Sequence, residues 1–236
     1  MKKVSVDLKK DSFYIEKDSF LHRFKRSLTY KHPLKLIRKY AQHNNRLSAL
    51  EIGVGSGYFL HFFKLAFPDS NIIGLEYDNR NIDVAIKNNL QKIDIFQGNA
   101  EDFSYEEKFN LIVSFQVIEH LYDSNGMLKN IKKHLSDDGI AIITTPNLDG
   151  LGASLMKGSW SGYREDHVNL KGCDDWVSDI KDQGFEILYS GSTFFSGIPI
   201  LNKIPLGIFN WVLLFIFGSL KWGKGESFVC VFKLKN

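Results

Sequence analysis

The sequence predicts an α/β protein built on a seven-stranded, mostly parallel sheet with helices on both faces. Apolar strand-like runs alternate with helical periodicity from residue 46 onward, which is typical of parallel sheets. A glycine-rich turn follows the first strand, at the point where such sheets bind ligands. The predicted strands span residues 47–52, 71–77, 93–98, 109–116, 139–145, 185–190 and 227–234.

Helical periodicity separates these strands. Apolar side chains recur on one face of residues 81–90, 126–135 and 173–183, and Gly184 would end the last of these helices. An apolar run over residues 58–67 follows the glycine turn and predicts a further helix.

The composition fits one folded domain with a basic N-terminal segment. The chain has 236 residues, of which 44% are hydrophobic. Residues 1–46 carry 13 Lys or Arg against 4 Asp or Glu, a net charge of +9, whereas the remainder carries −6. We therefore expect a basic helical cap over residues 1–45 and a ligand-binding domain over residues 46–236. The basic charge suits an anionic substrate, a phospholipid surface or RNA, or forms a solvated face.

The two cysteines and the N-terminus indicate a cytoplasmic protein. Cys173 and Cys230 form neither a disulfide framework nor a metal-ligand spacing. The N-terminal residues are charged and aromatic, without the apolar core of a secretion signal.

The turn after the first strand reads Glu51-Ile52-Gly53-Val54-Gly55-Ser56-Gly57. Because glycine has no Cβ, the backbone can bend sharply and a ligand can lie directly against it. The free amides that begin the next helix then face that ligand. Tyr58 stands where a dinucleotide-binding loop has its third glycine, and no Gly-Lys-Ser/Thr of a phosphate loop follows. A turn that only joins a strand to a helix is the alternative.

An acidic residue at the end of the second strand completes the expected cofactor site. Glu76 lies about twenty residues beyond the turn, where a carboxylate accepts ribose hydroxyls. Tyr77 follows it, and Asp78 is a competing candidate for the same role. A surface charge that caps the next helix is the alternative for Glu76.

The spaced glycines and Glu76 resemble the first motifs of class I S-adenosylmethionine (SAM)-dependent methyltransferases. The resemblance covers roughly residues 40–192 and 226–234. It implies a Rossmann-like sheet whose seventh strand lies antiparallel beside the sixth, with SAM as the cofactor. It also assigns Glu51, Gly53, Gly55, Gly57, Glu76 and Tyr77 to cofactor binding.

Two further segments carry this resemblance. Gly98-Asn99-Ala100 stands where the family has Gly-Asp-Ala, which implies that Asn99 and Ala100 contact the adenine. The stretch from Ser114 to Leu121 resembles the Leu-Glu-His segment of ubiquinone-type O-methyltransferases. That likeness implies that Phe115 and Gln116 lie near the methionine amine and that His120 lies under the cofactor. His120 as a buried residue at the start of a helix is equally open.

The same segment bears on a metal ion. Some quinone-modifying relatives carry Glu-x-x-Glu-His here and are linked to a divalent metal. Gln116 replaces the first Glu, and we therefore predict no metal site.

The loop after the fifth strand is expected to meet the acceptor, because ligands bind at the carboxyl end of such sheets. We assign Trp160, Tyr163 and Arg164 to substrate binding and His167 to general-base catalysis, with His120 as the second catalytic candidate.

The stretch from His167 to Gly184-Phe185 resembles the tail of the same branch. A neutral imidazole takes a hydroxyl proton as the sulfonium methyl leaves. A structural role for His167, or pairing of Arg164 with Glu165 or Asp166, is the alternative.

An apolar insertion at residues 193–225 lies outside the resemblance. Its run 204–220 is close to the length of about 20 residues that spans a bilayer. A single crossing, however, would place the last β-strand on the opposite side of the membrane from the rest of the sheet. We expect membrane-surface contact through residues 197–222, with a lid, a dimer interface or a buried helix pair as alternatives.

These observations predict a SAM-dependent methyltransferase that transfers a methyl group in line to an oxygen of a small-molecule or lipid-like acceptor. We expect it in the cytoplasm, peripherally associated with the membrane. A catalytically inactive SAM-fold partner protein and an RNA methyltransferase are the alternatives. No Asn/Asp-Pro-Pro-aromatic signature of base methylation is present, so no nucleic-acid partner is expected. The sequence specifies no oligomeric state.

Overall fold

The computed structural model describes residues 20–42, 46–88, 93–193, 212–213 and 216–235. Strands and helices alternate through most of this part of the chain, as predicted. The strands are β1 Ser48–Ile52, β2 Asn71–Glu76, β3 Ile95–Gln97, β4 Phe109–Phe115, β5 Leu135–Pro146, β6 Phe185–Thr193, β7 Ser219–Leu220 and β8 Ser227–Leu234. The helices are α1 Phe20–Tyr40, α2 Tyr58–Ala66, α3 Asn79–Lys87, α4 Ser124–His134, α5 Leu151–Met156 and α6 Cys173–Asp182, with 3₁₀ turns at Ile118–His120 and Lys157–Ser159.

The strands form one mixed sheet in the order β3-β2-β1-β4-β5-β8-β6-β7. Strands β1 to β5 pair in parallel, and β8 lies antiparallel between β5 and β6. The predicted Rossmann-like sheet with an antiparallel last strand is confirmed. The described residues form eight strands rather than the seven predicted, because the two-residue β7 pairs with the end of β6 inside the insertion. So short a strand has no alternation that a sequence pattern could reveal.

Several element boundaries differ from the predicted ones by a few residues, and one short helix was not predicted. β5 begins at Leu135 rather than residue 139, because Leu135 pairs with Phe109 before the register shifts at the following acidic turn. The short helix α5 lies inside the loop predicted after the fifth strand, where its six residues are too few to show a helical period.

Helices cover both faces of the sheet and create two apolar cores. Phe59 and Phe63 of α2 pack on one face with Ile37 of α1. Ile131 of α4 and Trp176 of α6 pack on the other. Aspartates at the N-termini hold α3 and α4 in place: Asp78 accepts a hydrogen bond from the Arg80 amide, and Asp123 accepts one from the Gly126 amide.

The topology places the insertion at the same edge of the sheet as the ends of the parallel strands. β6 ends and β8 begins at this carboxyl edge, because Ser227 pairs with Pro146 and Phe228 with Ser192. Residues 194–211 and 214–215 of the predicted insertion, which include most of the 197–222 segment, lie outside the described residues. Within the ranges given above, no helix is long and apolar enough to cross a bilayer. The cytoplasmic location and the membrane contact stay predictions.

Asn147 ties the end of the insertion to the loop after β5. Its buried side-chain amide donates to the carbonyls of Gly223 at 2.9 Å and Gly225 at 2.8 Å. Its side-chain oxygen accepts from the Asp149 amide at 3.2 Å. One side chain therefore fixes two segments that both border the carboxyl edge.

We expect Asn147→Ala to lower the free energy of unfolding by about 2 kcal/mol or more, because it leaves buried carbonyls and an amide without partners. Urea unfolding followed by circular dichroism measures this change. The matched control is Asn125→Ala, which removes an exposed side chain on α4 and should change the free energy by less than about 0.5 kcal/mol. Equal destabilisation by both variants would contradict the anchoring role of Asn147.

Candidate functional site

The glycine turn between β1 and α2 has the backbone shape that its sequence predicts. Gly53, Gly55 and Gly57 all have left-handed φ angles, of 78°, 53° and 79°. A Cβ on Gly53 would overlap the Val117 side chain, whereas one on Gly55 would meet no atom within 4 Å. The turn is therefore packed against the protein at Gly53 and open at Gly55, which leaves the backbone there accessible to a ligand.

Glu76 lies against this turn. Its carboxylate accepts hydrogen bonds from the Gly55 amide at 2.7 Å and from the Asp78 amide at 3.0 Å. Asp78, the competing candidate, instead caps α3 and pairs with Arg80. The hydrogen bonds from the Arg80 guanidinium hold the pKa of Asp78 below its usual value. The geometry favours Glu76 as the acidic residue of the cofactor site, with Tyr77 exposed beside it.

Glu51 is a second buried acid close to the turn. It is 2% exposed, and one of its carboxylate oxygens has no hydrogen-bond partner among the described residues. Burial, and then repulsion from the Glu76 carboxylate, raises the pKa of Glu51 well above its usual value. A buried oxygen without a hydrogen bond lowers the stability of the fold. Glu51 therefore has a hydrogen-bonding position that a ligand could fill, at the place where the resemblance assigns cofactor binding.

The predicted adenine contacts lie in the loop after β3, the strand beside β2. The Asn99 side chain accepts from the Glu101 amide at 3.0 Å, and Ala100 is buried. Asn99 thus shapes a tight turn that presents this loop. Its role as an adenine acceptor stays a prediction.

Phe115 ends β4 beside the glycine turn, and Gln116 follows it. Gln116 has φ of 57°, a strained left-handed value for a residue with a side chain, while its amide donates to the Thr144 carbonyl at 2.8 Å. The Phe115 ring packs against Phe59 of α2, with ring centroids 4.7 Å apart. This bend turns the chain toward His120, and strain of this kind clusters at functional sites.

His120 and His167 come together although they are distant in sequence. Their ring centroids are 4.7 Å apart, edge to face. His120 Nδ1 lies 3.0 Å from the Asp166 carbonyl oxygen, and His167 Nδ1 lies 2.8 Å from that of Gly162. Because carbonyls only accept, each Nδ1 donates a hydrogen, and each Nε2 is left as the acceptor nitrogen in the neutral ring. Burial lowers the pKa of both imidazoles, which favours this neutral form.

Glu119 belongs to the same cluster, and the sequence analysis missed it. Its side chain is fully buried, with one oxygen accepting from the Thr145 hydroxyl at 3.1 Å and the other unpartnered in the described structure. Burial raises the pKa of Glu119 to about 8. The signal in the sequence was the Glu119-His120 pair, which keeps the second Glu and the His of the Glu-x-x-Glu-His segment, but nothing local indicates that this acid would be buried.

These three residues fit a divalent cation. One carboxylate oxygen of Glu119 and one ring nitrogen each of His120 and His167 lie within 4.8 Å of one another. Two neutral imidazoles and a carboxylate are a common ligand set for zinc and other transition metals, and the unpartnered Glu119 oxygen suits such a role. An ion held there would lower the pKa of a bound hydroxyl. The prediction of no metal site rested on Gln116 alone and stays untested.

The structure gives the three predicted substrate residues different environments. Arg164 donates two hydrogen bonds to Asp166, at 2.9 and 2.8 Å, which is one of the two pairings the sequence left open. Trp160 is buried, and its indole donates to Glu226 at 2.5 Å. Tyr163 is 47% exposed and packs edge to face on Trp160. Trp160 therefore supports the loop, whereas Tyr163 offers surface to a ligand; substrate contact by all three stays a prediction.

This sheet order, with a glycine turn after β1 and an acid at the end of β2, is the arrangement of SAM-dependent methyltransferases. A crystal structure of such an enzyme from Clostridium acetobutylicum ATCC 824 superimposes with a TM-score of 0.65 at 11% identity, over 89% of this chain and 92% of that one. The chain belongs to the methyltransferase domain family, whose sequence profile matches residues 21–190. The predicted fold, family and cofactor class are confirmed.

Curated relatives in this class match only part of the chain. A ubiquinone biosynthesis O-methyltransferase of Rickettsia akari (strain Hartford) is 29% identical over 116 residues, 48% of this chain and 45% of that protein. A malonyl-[acyl-carrier protein] O-methyltransferase of Bacillus anthracis is 29% identical over 111 residues, 47% of this chain and 41% of that protein. The chain thus spans less than half the length of either relative.

We expect Glu76→Ala to weaken SAM binding about tenfold or more, because a carboxylate that would accept two ribose hydroxyls is lost. Glu76→Gln should fall between wild type and the alanine variant, since the amide keeps one acceptor oxygen. Isothermal titration calorimetry with SAM measures both changes. Asp83→Ala, which removes an exposed carboxylate from α3, serves as the control and should bind SAM like wild type. Unchanged affinity in Glu76→Ala would rule out the ribose assignment.

Proposed function

We propose that this protein transfers the methyl group of SAM to an oxygen of a small-molecule or lipid-like acceptor. The observation that carries this proposal is the pair of neutral imidazoles at the carboxyl edge, with His167 Nε2 available as a proton acceptor. The names of the two partial relatives support oxygen as the methyl acceptor, since both are O-methyltransferases although their acceptors differ.

The cofactor would lie across the ends of β1, β2 and β4. Glu76 would accept hydrogen bonds from the ribose, and the turn from Gly53 to Gly57 would face the methionine portion. The strained backbone at Gln116 would limit how the methionine end is placed. Binding SAM therefore requires residues from three neighbouring strands to keep their present register.

His167 would act as the general base. The Gly162 carbonyl fixes its ring with the hydrogen on Nδ1, so that Nε2 takes the acceptor's hydroxyl proton as the oxygen attacks the sulfonium methyl. His120, edge to face with His167, would orient the acceptor or share the proton. Methyl transfer needs an in-line approach, so positioning by this pair would supply part of the rate.

The exposed residues next to the two histidines in the sequence include both apolar and charged side chains. Tyr122 is 89% exposed, Tyr163 47% and Val168 41%, and each lies within four residues of one of the histidines. Exposed apolar groups close to a polar catalytic pair suit an acceptor with an apolar body and a hydroxyl at one end. Because the charged Arg164, Glu165 and Asp166 are exposed in the same stretch, these side chains support an acceptor that has both an apolar and a polar part.

A SAM-fold binding protein without catalysis is the second candidate. Two features are compatible with both an enzyme and a binding protein: the Arg164–Asp166 ion pair and the three glycines of the turn. Two neighbouring imidazoles, each with Nδ1 bonded to a carbonyl and Nε2 left as the acceptor nitrogen, suit proton transfer better than SAM binding alone. We therefore favour the enzyme.

We expect His167→Ala to lower kcat by about a hundredfold or more while SAM affinity is retained, because a general base contributes about that much. Release of S-adenosylhomocysteine, measured with a panel of phenolic and isoprenoid acceptors, reports the rate. His61→Gln on the exposed side of α2 is the control and should keep wild-type kcat. A near-wild-type rate in His167→Ala would assign His167 a structural role.

The pH dependence follows from the lowered pKa of His167, whose ordinary value is 6.5. The neutral base prevails at pH 7, and kcat/KM should fall only as the pH drops below 6.5. A pH–rate profile measures this acid limb, which should disappear from the residual rate of His167→Ala. Dialysis against EDTA is the accompanying control: loss of activity that added Mg²⁺ or Zn²⁺ restores would reassign His167 as a metal ligand.

A further inference from the structure

One face of helix α1 is exposed and basic. The sequence of α1 contains seven Lys or Arg and no Asp or Glu. Phe24, Lys31 and Lys35 are all exposed, and spacings of seven and four residues align them along one stripe of the helix. Ile37 lies on the opposite side of the helix, and both Ile37 and Leu34 are buried in the core. An exposed aromatic residue in line with lysines is typical of helices that lie on membranes.

The contacts of α1 show which end of the molecule this stripe reaches. The Tyr30 ring lies 5.7 Å from that of Phe115, at the carboxyl end of β4. The Arg38 guanidinium lies 5.2 Å from the ring of Phe67, which follows α2 at the opposite edge of the sheet. The first half of α1, with Phe24, therefore extends toward and beyond the carboxyl edge.

The described end of the insertion meets α1 at this edge. His32 Nε2 lies 2.5 Å from the Ser219 hydroxyl, which also bonds the Tyr189 hydroxyl at 2.7 Å. The Gly218 backbone packs so closely on the His32 ring that a Cβ there would overlap it. Ile216 and Phe217, immediately before this contact, are 59% and 47% exposed. Exposed apolar side chains are thus held next to the basic helix.

We infer that Phe24, Lys31 and Lys35 of α1, together with Ile216 and Phe217, form a docking surface for an anionic lipid bilayer. The apolar side chains would enter the headgroup region, and the lysines would meet anionic headgroups. The charge distribution favours this partner: residues 1–46 carry a net +9, whereas the remainder of the chain carries −6. A neutral bilayer or a basic protein would leave that charge uncompensated.

Docking in this way would face the carboxyl edge toward the membrane. A lipid-like acceptor could then reach His167 without leaving an apolar environment, and in this respect the inference rests on the proposed function. Bilayer binding itself needs no methyl transfer. The two ideas can therefore fail separately.

Co-sedimentation of the full chain with vesicles tests the inference. We expect binding to phosphatidylcholine vesicles that contain phosphatidylglycerol and little binding to phosphatidylcholine alone. Lys31→Gln combined with Lys35→Gln should weaken binding roughly twenty-five-fold, since each lysine at an anionic surface contributes about fivefold. Phe24→Ser combined with Phe217→Ser should weaken it about tenfold or more, because two inserted rings are lost.

The matched control is Ile86→Ser combined with Lys87→Gln, an exposed apolar–basic pair on α3 that should leave vesicle binding unchanged. Thermal unfolding and SAM calorimetry show whether each variant remains folded. Absence of vesicle binding, or equal binding to neutral vesicles, would overturn the inference. RNA binding that depends on Lys31 and Lys35 without vesicle binding would also overturn it and identify a nucleic-acid surface. Vesicle binding without methyl transfer would leave the docking surface intact and refute the proposed function.

Discussion

The parallel pairing of β1 with β2 and β4 is the constraint on which the site depends. Ile52 is in register with Leu75 on one side and Ser114 on the other, so all three strands end at one level. The glycine turn, the Glu76 carboxylate and the strained Gln116 therefore meet at one edge. The hydrogen bond from the Gly55 amide to Glu76 joins two of them directly. A slip of one residue would turn each of these side chains to the opposite face.

Burial shifts the pKa of four ionisable side chains at this edge. Loss of hydration disfavours charge, which raises the pKa of Glu51 and Glu119 and lowers that of His120 and His167. Glu51 and Glu119 each keep an oxygen without a partner among the described residues. Burying so many polar groups lowers the stability of the folded state. Such groups are typical of sites that bind ligands or carry out chemistry.

The same edge collects the parts of the chain that lie outside the common sheet. The antiparallel β8 forces the insertion to leave and return there, and Asn147 fixes its returning end. Helix α1 reaches the same place through Tyr30 and is joined to the insertion through His32 and Ser219. The glycine turn, the histidine pair, the first half of α1 and residues 216–217 therefore lie on one side of the described structure.

The sequence by itself determined the fold class, the family, the glycine turn and Glu76, because hydrophobic period and glycine spacing are local properties that need no knowledge of distant contacts. It also identified His120 and His167, but as separate candidates. Only the tertiary structure brought these two rings together with Glu119, through the hydrogen bond from the Asn169 amide to the Glu119 carbonyl. It likewise decided that Arg164 pairs with Asp166 and that Trp160 is buried. Such pairings depend on strand register and on the path of a long loop. Neither of these produces a periodic pattern in the sequence.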